Sequence, residues 1–268
     1  MPTSFSDLLR TGTFPIALEI TPPRELWPEV LLRRATRLGD RPAVINVIQR
    51  PDRLSSLESS LLLLDVGLEP VWHITNRGRA RSEIARDIRR AADAGIRNVL
   101  CVRGEGDDKD GPQTPRIREV VAMLADAIPS ACIGVTANQY GPREPVLRNL
   151  LAKIEAGATV VQTQPVFEVE SLNDLARDIR QHAPQVSLVP MLMPAVPLER
   201  AEAIALRLGF RLPGPVRAPG RQWPTFADAL RELREAPHAQ GVAILTTAAD
   251  PDEPFVEQLV AALVAGSS

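Results

Sequence analysis

The sequence predicts an α/β fold, a (β/α)8 TIM barrel in a single domain, and three observations carry that prediction. Short apolar, β-branched runs alternate with amphipathic stretches of about 10 to 15 residues over almost the whole length, the pattern of a parallel sheet covered by helices. The runs number eight and a helix follows the last one, which matches a closed barrel at its usual size. The first run is followed by Thr21, Pro22, Pro23 and Arg24 instead of a glycine-rich phosphate loop, so an open doubly wound sheet is the runner-up.

Taken in order, the strands are predicted at 14–20, 43–49, 69–75, 97–103, 132–137, 158–164, 186–192 and 241–247. In the first, Phe14, Ile16 and Leu18 alternate with Pro15 and Ala17 before Pro22-Pro23 stops the run. Helical periodicity appears in "SEIARDIRRAADAG", "RIREVVAMLADA", "PVLRNLLAKIEAG", "SLNDLARDIRQH" and "LERAEAIALRLG", and the chain closes on "PFVEQLVAALVAG". Several of these end on Gly, as a helix C-terminus prefers. The stretch "RLPGPVRAPGRQWP" at 211–224 is a Pro/Gly-rich insertion, read as a surface loop ahead of an added helix near 225–235. One domain therefore covers 1–268.

Composition excludes several function classes. Charged residues make up 24% and hydrophobic ones 44%, ordinary for a globular protein. A net charge of −2 supplies no basic field, so nucleic acid is not an expected partner. The apolar run Leu61 to Leu64 is ended by Asp65, far short of the roughly 20 residues of a membrane span. The first residues hold no basic segment followed by an apolar one, which points to the cytoplasm. Cys101 and Cys132 both sit inside apolar runs and read as buried thiols. His73, His182 and His238 form no ligand pattern, so no metal site is expected.

In a barrel the working face lies at the C-terminal ends of the strands. That rule selects Glu19, Gln49, His73 with Thr75, Arg103 with Glu105, Asn138, Gln164, Met193 and Thr247. Glu19 stands out because a carboxylate inside an apolar strand costs free energy unless it is paired or faces a cleft. In a partly apolar pocket, desolvation raises the pKa of a carboxyl group and suits it to general-acid work. An ion pair with Arg24 or Arg50 is the competing reading.

Four segments add a resemblance. "LEITPPRE" (18–25), "HIT" (73–75), "AGIRNVLCVRGEGDD" (94–108) and "KIEAGATVVQTQPVF" (153–167) occur in this order, each at or near a predicted strand end. Together they resemble the methylenetetrahydrofolate reductase family, over about residues 14 to 210. The resemblance implies an oxidoreductase of one-carbon metabolism that reduces 5,10-methylenetetrahydrofolate to 5-methyltetrahydrofolate through FAD, with hydride from NADH or NADPH. It makes Glu19 the acid that opens the bridged folate. It places Glu105, Gln164 and Phe167 against the pterin, and His73, Thr75, Arg103, Gly104, Asn138 and Lys153 around the cofactor. A folate is then the small-molecule partner, and a homo-oligomer is compatible with the pattern. Lys153 also reads as a solvated helix residue, and Arg103 as a partner of the acids in "EGDDKD".

The chain departs from the family where the flavin would lie. Asn138 replaces a tyrosine, "TANQYGPREPVLRN" is shorter than the usual loop, and Ile48 and Gln49 stand for smaller residues. Those departures leave room for a flavin-free, NADH-dependent version of the reaction. A folate-binding methyltransferase or non-catalytic subunit on the same barrel is the alternative from another class.

Overall fold

The computed structural model describes residues 4–104, 111, 113–194, 196–217, 224–246, 248–251 and 253–265. Eight parallel strands follow one another around a closed barrel, β1 (Ile16–Ile20), β2 (Val44–Val47), β3 (Pro70–Thr75), β4 (Asn98–Val102), β5 (Cys132–Ala137), β6 (Val160–Val166), β7 (Ser187–Leu192) and β8 (Val242–Ile244). Closure comes from β1, which pairs with β2 on one side and β8 on the other. The helices are α1 (Phe5–Arg10), α2 (Pro28–Ala35), α3 (Ser56–Asp65), α4 (Arg81–Asp93), α5 (Ile117–Ala127), α6 (Arg143–Glu155), α7 (Asn173–His182), α8 (Leu198–Arg207), α9 (Phe226–Glu235) and α10 (Glu253–Ala265). The predicted barrel is the observed one.

Strand alternation divides the apolar residues into two shells. Trp72, Ile74, Val99, Ile133, Val135 and Val161 pack outward against the apolar stripes of the helices, such as Ile84, Ile88 and Ala91 of α4 at helical spacing. Trp72 is fully buried there, and truncating it to Ala would cost about 3–5 kcal/mol. Ala17, Val44, Val71, Leu100, Cys132 and Val160 point inward and fill the lumen. Phe5 and Leu9 of α1 join this inner cluster, and the Phe5 N–H donates to Asn98 Oδ1 at the start of β4. An N-terminal helix that the sequence reading left out thus plugs the base of the barrel.

Two helices exchange the roles expected of them. The predicted barrel helix at 198–209 is α8, which buries Ala201, Ile204 and Ala205 in the inner cluster with Met193, Phe210 and Leu212 beyond the strand ends. The helix read as an addition, α9, packs on β7 and α10 and so takes the outer-ring position before β8. Both are amphipathic, and periodicity gives the apolar stripe without saying which surface it will meet. Of the predicted insertion, residues 211–217 and 224 are described, and Leu212 and Val216 are buried in that same cluster; residues 218–223 lie outside the described set. Among the described residues no helix is long and apolar enough to cross a membrane.

Candidate active site

At the C-terminal ends of the strands a cavity of about 200 Å³ opens into the barrel. Glu19, Gln49, His73, Arg103, Gly104 and Gln164 line it, so six of the residues selected from sequence meet in one place. Glu19 comes from β1 and is 9% exposed. Its backbone carbonyl accepts a hydrogen bond from the Thr246 hydroxyl at 3.1 Å. Apolar walls come from Ile48, Leu100, Val102 and Met191, and Arg207 with Leu208 close one side from the end of α8.

Beneath this mouth lies a polar contact that the sequence reading missed. Asn46, the register partner of Glu19 on β2, donates from Nδ2 to Gln162 Oε1 at 3.1 Å. β2 and β6 stand on opposite sides of an eight-strand ring, so this bond crosses the lumen. Both side chains are buried, at 2% and 5% exposure, and each is paired as a buried amide must be. A signal was available, because 44 and 46 on β2, with 48 just beyond it, and 160, 162 and 164 on β6 share the inner parity, and a polar residue there must face the lumen.

His73 is buried next to the cavity, and burial lowers its pKa to about 3, so the imidazole is neutral at physiological pH. Its Nε2 has no hydrogen-bond partner. Its backbone N–H donates to Ser56 Oγ at 3.0 Å, and that hydroxyl donates to the Val47 carbonyl at 2.5 Å. Ser56 therefore ties β2 to β3 directly behind the site.

The end of β6 is shaped by a bulge. Its register with β7 shifts between Gln162 and Pro165, and the extra residue lets Gln162, Thr163 and Gln164 all reach the cavity wall. Gln139 secures the bulged backbone, donating from Nε2 to the Gln164 carbonyl at 2.9 Å and accepting from the Gln164 N–H at 3.1 Å. The Tyr140 hydroxyl donates to the Pro165 carbonyl at 2.9 Å and accepts from the Phe167 N–H at 3.2 Å.

The remaining sequence candidates fall elsewhere. Asn138 lies in a separate groove beside Arg143 and Asp178, where its Oδ1 accepts the Tyr140 N–H at 3.1 Å and shapes the turn after β5. Phe167 packs its ring 6.3 Å from that of Tyr140 and does not line the cavity. Lys153 is neither solvated nor at the cavity. It is buried between α6 and the barrel, donates to the Thr136 carbonyl at 3.0 Å, and has its pKa lowered by burial. The periodic pattern of α6 put a long cation on its inner face, and the strand carbonyl became its acceptor.

Thr75 supports the site from behind. Gly104 has φ +88°, and a Cβ there would stand 3.1 Å from Thr75 Cβ, so the turn after β4 needs glycine at this position. Glu105 and Thr247 lie outside the described residues. Met193 is buried in the inner cluster. Among the described residues no group of three His, Cys, Asp or Glu side chains is placed to hold a metal.

Chemically, the cavity offers a carboxyl group, three carboxamides and two guanidinium groups around an apolar slot, which suits a planar heterocycle with donors and acceptors along its edges. Comparison with known proteins identifies the family. A family profile described as "Methylenetetrahydrofolate reductase" matches residues 4–217. The chain is 25% identical over 177 residues to a "Probable methylenetetrahydrofolate reductase (NADPH)" of Caenorhabditis elegans, covering 63% of this chain and 26% of that protein. It is 24% identical over 213 residues to a "5,10-methylenetetrahydrofolate reductase" of Pectobacterium carotovorum subsp. carotovorum, covering 75% of this chain and 71% of the relative. The chain thus spans about a quarter of the nematode relative's length. Among solved structures, an uncharacterized Clostridium thermocellum protein that binds two copies of 5-methyl-5,6,7,8-tetrahydrofolic acid superposes with a TM-score of 0.69 at 16% identity, over 96% of this chain and 95% of the other. Tryptophan synthase from M. tuberculosis superposes with a TM-score of 0.59 at 13% identity, over 97% of this chain and 96% of the other, through the shared fold.

Proposed function

Because the chain belongs to the methylenetetrahydrofolate reductase family, we propose that it reduces 5,10-methylenetetrahydrofolate to 5-methyltetrahydrofolate with hydride from NADH or NADPH. The observation that carries this reading is the meeting of Glu19 and Gln164 in one cavity at the strand ends. Gln164 is suited to the pterin edge, since a carboxamide both donates and accepts in one plane. Glu19 gives its proton to the bridging nitrogen, the bond from that nitrogen to the methylene carbon breaks, and an iminium forms on the other nitrogen. Hydride adds to the iminium carbon and leaves a methyl group. Around the reacting atoms, the apolar wall of Ile48, Leu100 and Met191 keeps water from competing for the iminium.

FAD, which the resemblance implies, would supply a relay for the hydride between nicotinamide and folate. The residues assigned to it divide. His73, Arg103 and Gly104 line the cavity, whereas Lys153 and Asn138 are held elsewhere. Tyr140 and Arg143, the other groups in that loop able to replace them, are committed to β6 and to Asp178 respectively. The described side chains therefore do not fit the ribityl and phosphate portion of the flavin, and the reading takes no step through it.

The test is turnover by the purified protein with its visible spectrum recorded first. A colourless protein that oxidises NADH only in the presence of methylenetetrahydrofolate supports direct transfer, and flavin bands restore the relay. Glu19→Gln should retain folate binding and lose about 10²-fold or more in turnover, the scale of a missing general acid. Near-normal turnover in that variant rejects the assignment.

A further inference from the structure

Glu19 is held by a clasp outside the cavity, and the need for the clasp follows from the shortness of β8. Strand β1 is bonded to β2 along its whole length, from Ala17 paired with Val44 to Ile20 paired with Val47, and the Ile48 N–H then donates to the Ile20 carbonyl at 3.2 Å. On its other side the register with β8 ends at Leu18 paired with Ile244. Carbonyls two residues apart point to the same side of a strand, so those of Glu19 and Thr21 face the side where β8 has ended.

Side chains supply both missing donors. The Thr246 hydroxyl donates to the Glu19 carbonyl at 3.1 Å, and Arg34 Nη1 of α2 donates to the Thr21 carbonyl at 2.8 Å. Arg34 is itself buried and fixed by Asp250, which follows β8 and accepts from its Nε at 3.2 Å and from its Nη2. Arg33 and Arg37 reach the same carboxylate at 3.3 Å each. One carboxylate thus gathers three guanidinium groups and anchors the donor that replaces a ladder bond next to Glu19.

We propose that Arg34 and Asp250 are positioning residues for Glu19, which act by fixing the β1 backbone from which its carboxyl group reaches the substrate. The proposal rests on the reductase reading above for its kinetic consequence, and on the clasp geometry alone for its structural one. A group must be held close to its productive geometry, and a displacement of about 1 Å can cost on the order of 10²-fold in rate.

The experiment is a double-mutant cycle between Asp250→Asn and Glu19→Gln, read as kcat and KM for methylenetetrahydrofolate with NADH. Asp250→Asn alone should lower kcat by about 10-fold with KM within about twofold. In the Glu19→Gln background it should change kcat by less than about twofold, because the group it positions is gone. A purely structural role predicts the same factor in both backgrounds, and that outcome overturns the proposal. A second readout needs no turnover: the carboxyl resonance of Glu19 in carbon-labelled protein, assigned by its loss in Glu19→Gln, should shift in Asp250→Asn. An unmoved resonance overturns the clasp, whereas a shifted one with no reductase activity in the parent protein rejects the reductase reading alone. Should Asp250→Asn not fold, Thr246→Val, which removes the hydroxyl from the Glu19 carbonyl, takes its place in both measurements.

Discussion

Replacing Asn46 by Leu tests whether the amide bond across the lumen is structural, functional or both. The substitution removes the hydrogen bond that Gln162 Oε1 accepts from Asn46 Nδ2 at 3.1 Å inside the barrel, the only one it accepts among the described residues. A buried acceptor stripped of its donor costs about 1–3 kcal/mol, whereas replacing both partners by apolar groups of similar shape is close to neutral. Each kcal/mol moves the melting temperature of a chain of this size by about 2–4 °C. Asn46→Leu should therefore melt about 2–12 °C below the parent, and Gln162→Leu, which orphans the Asn46 amide instead, should behave alike. The double variant should recover most of the loss, giving a coupling of about 2–6 kcal/mol in urea titrations with unchanged m-values. If the two losses simply add, the bond does not carry the stability assigned to it.

The same double variant separates stability from recognition. Gln162 lines the cavity, so a barrel repaired with two leucines should remain folded yet bind 5-methyltetrahydrofolate more weakly than the parent. Unchanged affinity in the repaired barrel would remove Gln162 from the ligand site and leave it a structural tie.

Two further outcomes follow from burial. Cys101 and Cys132 are enclosed, and burial pushes both thiols up to about 12, so the native protein should not react with an aromatic disulfide reagent while two thiols appear in denaturant; rapid native labelling would contradict their placement. Lys153→Met should leave folate binding intact and the unfolding free energy unchanged or raised, because burial disfavours the charged lysine. The sign fixes the pH trend. A lysine whose folded pKa is depressed binds fewer protons folded than unfolded, so the parent gains stability as pH rises toward the ordinary value of 10.5, and the advantage of Met should narrow from neutral to alkaline urea titrations. A loss of ligand binding would return the lysine to the site.

Much of the barrel was legible because its strands alternate with amphipathic stretches, and a parallel sheet of eight such units has few ways to close. The strand-end rule then found Glu19, His73 and Gln164 without knowing any contact. It does not find Asn46 or Gln162, because "AVINVIQ" and "ATVVQTQ" are apolar runs in which a single polar residue does not by itself declare its face. Lys153 was misplaced for a related reason. Its helix offers two faces, and sequence alone did not indicate that a strand carbonyl on the inner one would take the ammonium group. The exchange between α8 and α9 has a different origin, since two amphipathic helices in succession fit one outer-ring position, and the choice is made by the apolar residues 210, 212 and 216 that draw α8 over the mouth.

The loop after β5 connects these partial failures. The resemblance assigns Asn138 of this loop to the cofactor, and Tyr140 and Arg143 are its other groups able to contact a nucleotide. In the structure each is consumed by the protein: Asn138 closes the turn, Arg143 grips Asp178 through two bonds at 2.9 and 2.6 Å, and Tyr140 bridges two backbone groups of the strand next door. Gln139 completes the arrangement by occupying both backbone groups of Gln164. A bulged strand end exposes unpaired backbone groups, and a side chain that satisfies them leaves the bulge fixed and its side chains aimed. The loop residues and the bulge thus form one device, in which polar groups of the expected cofactor loop instead hold Gln164, the carboxamide proposed above for the pterin edge.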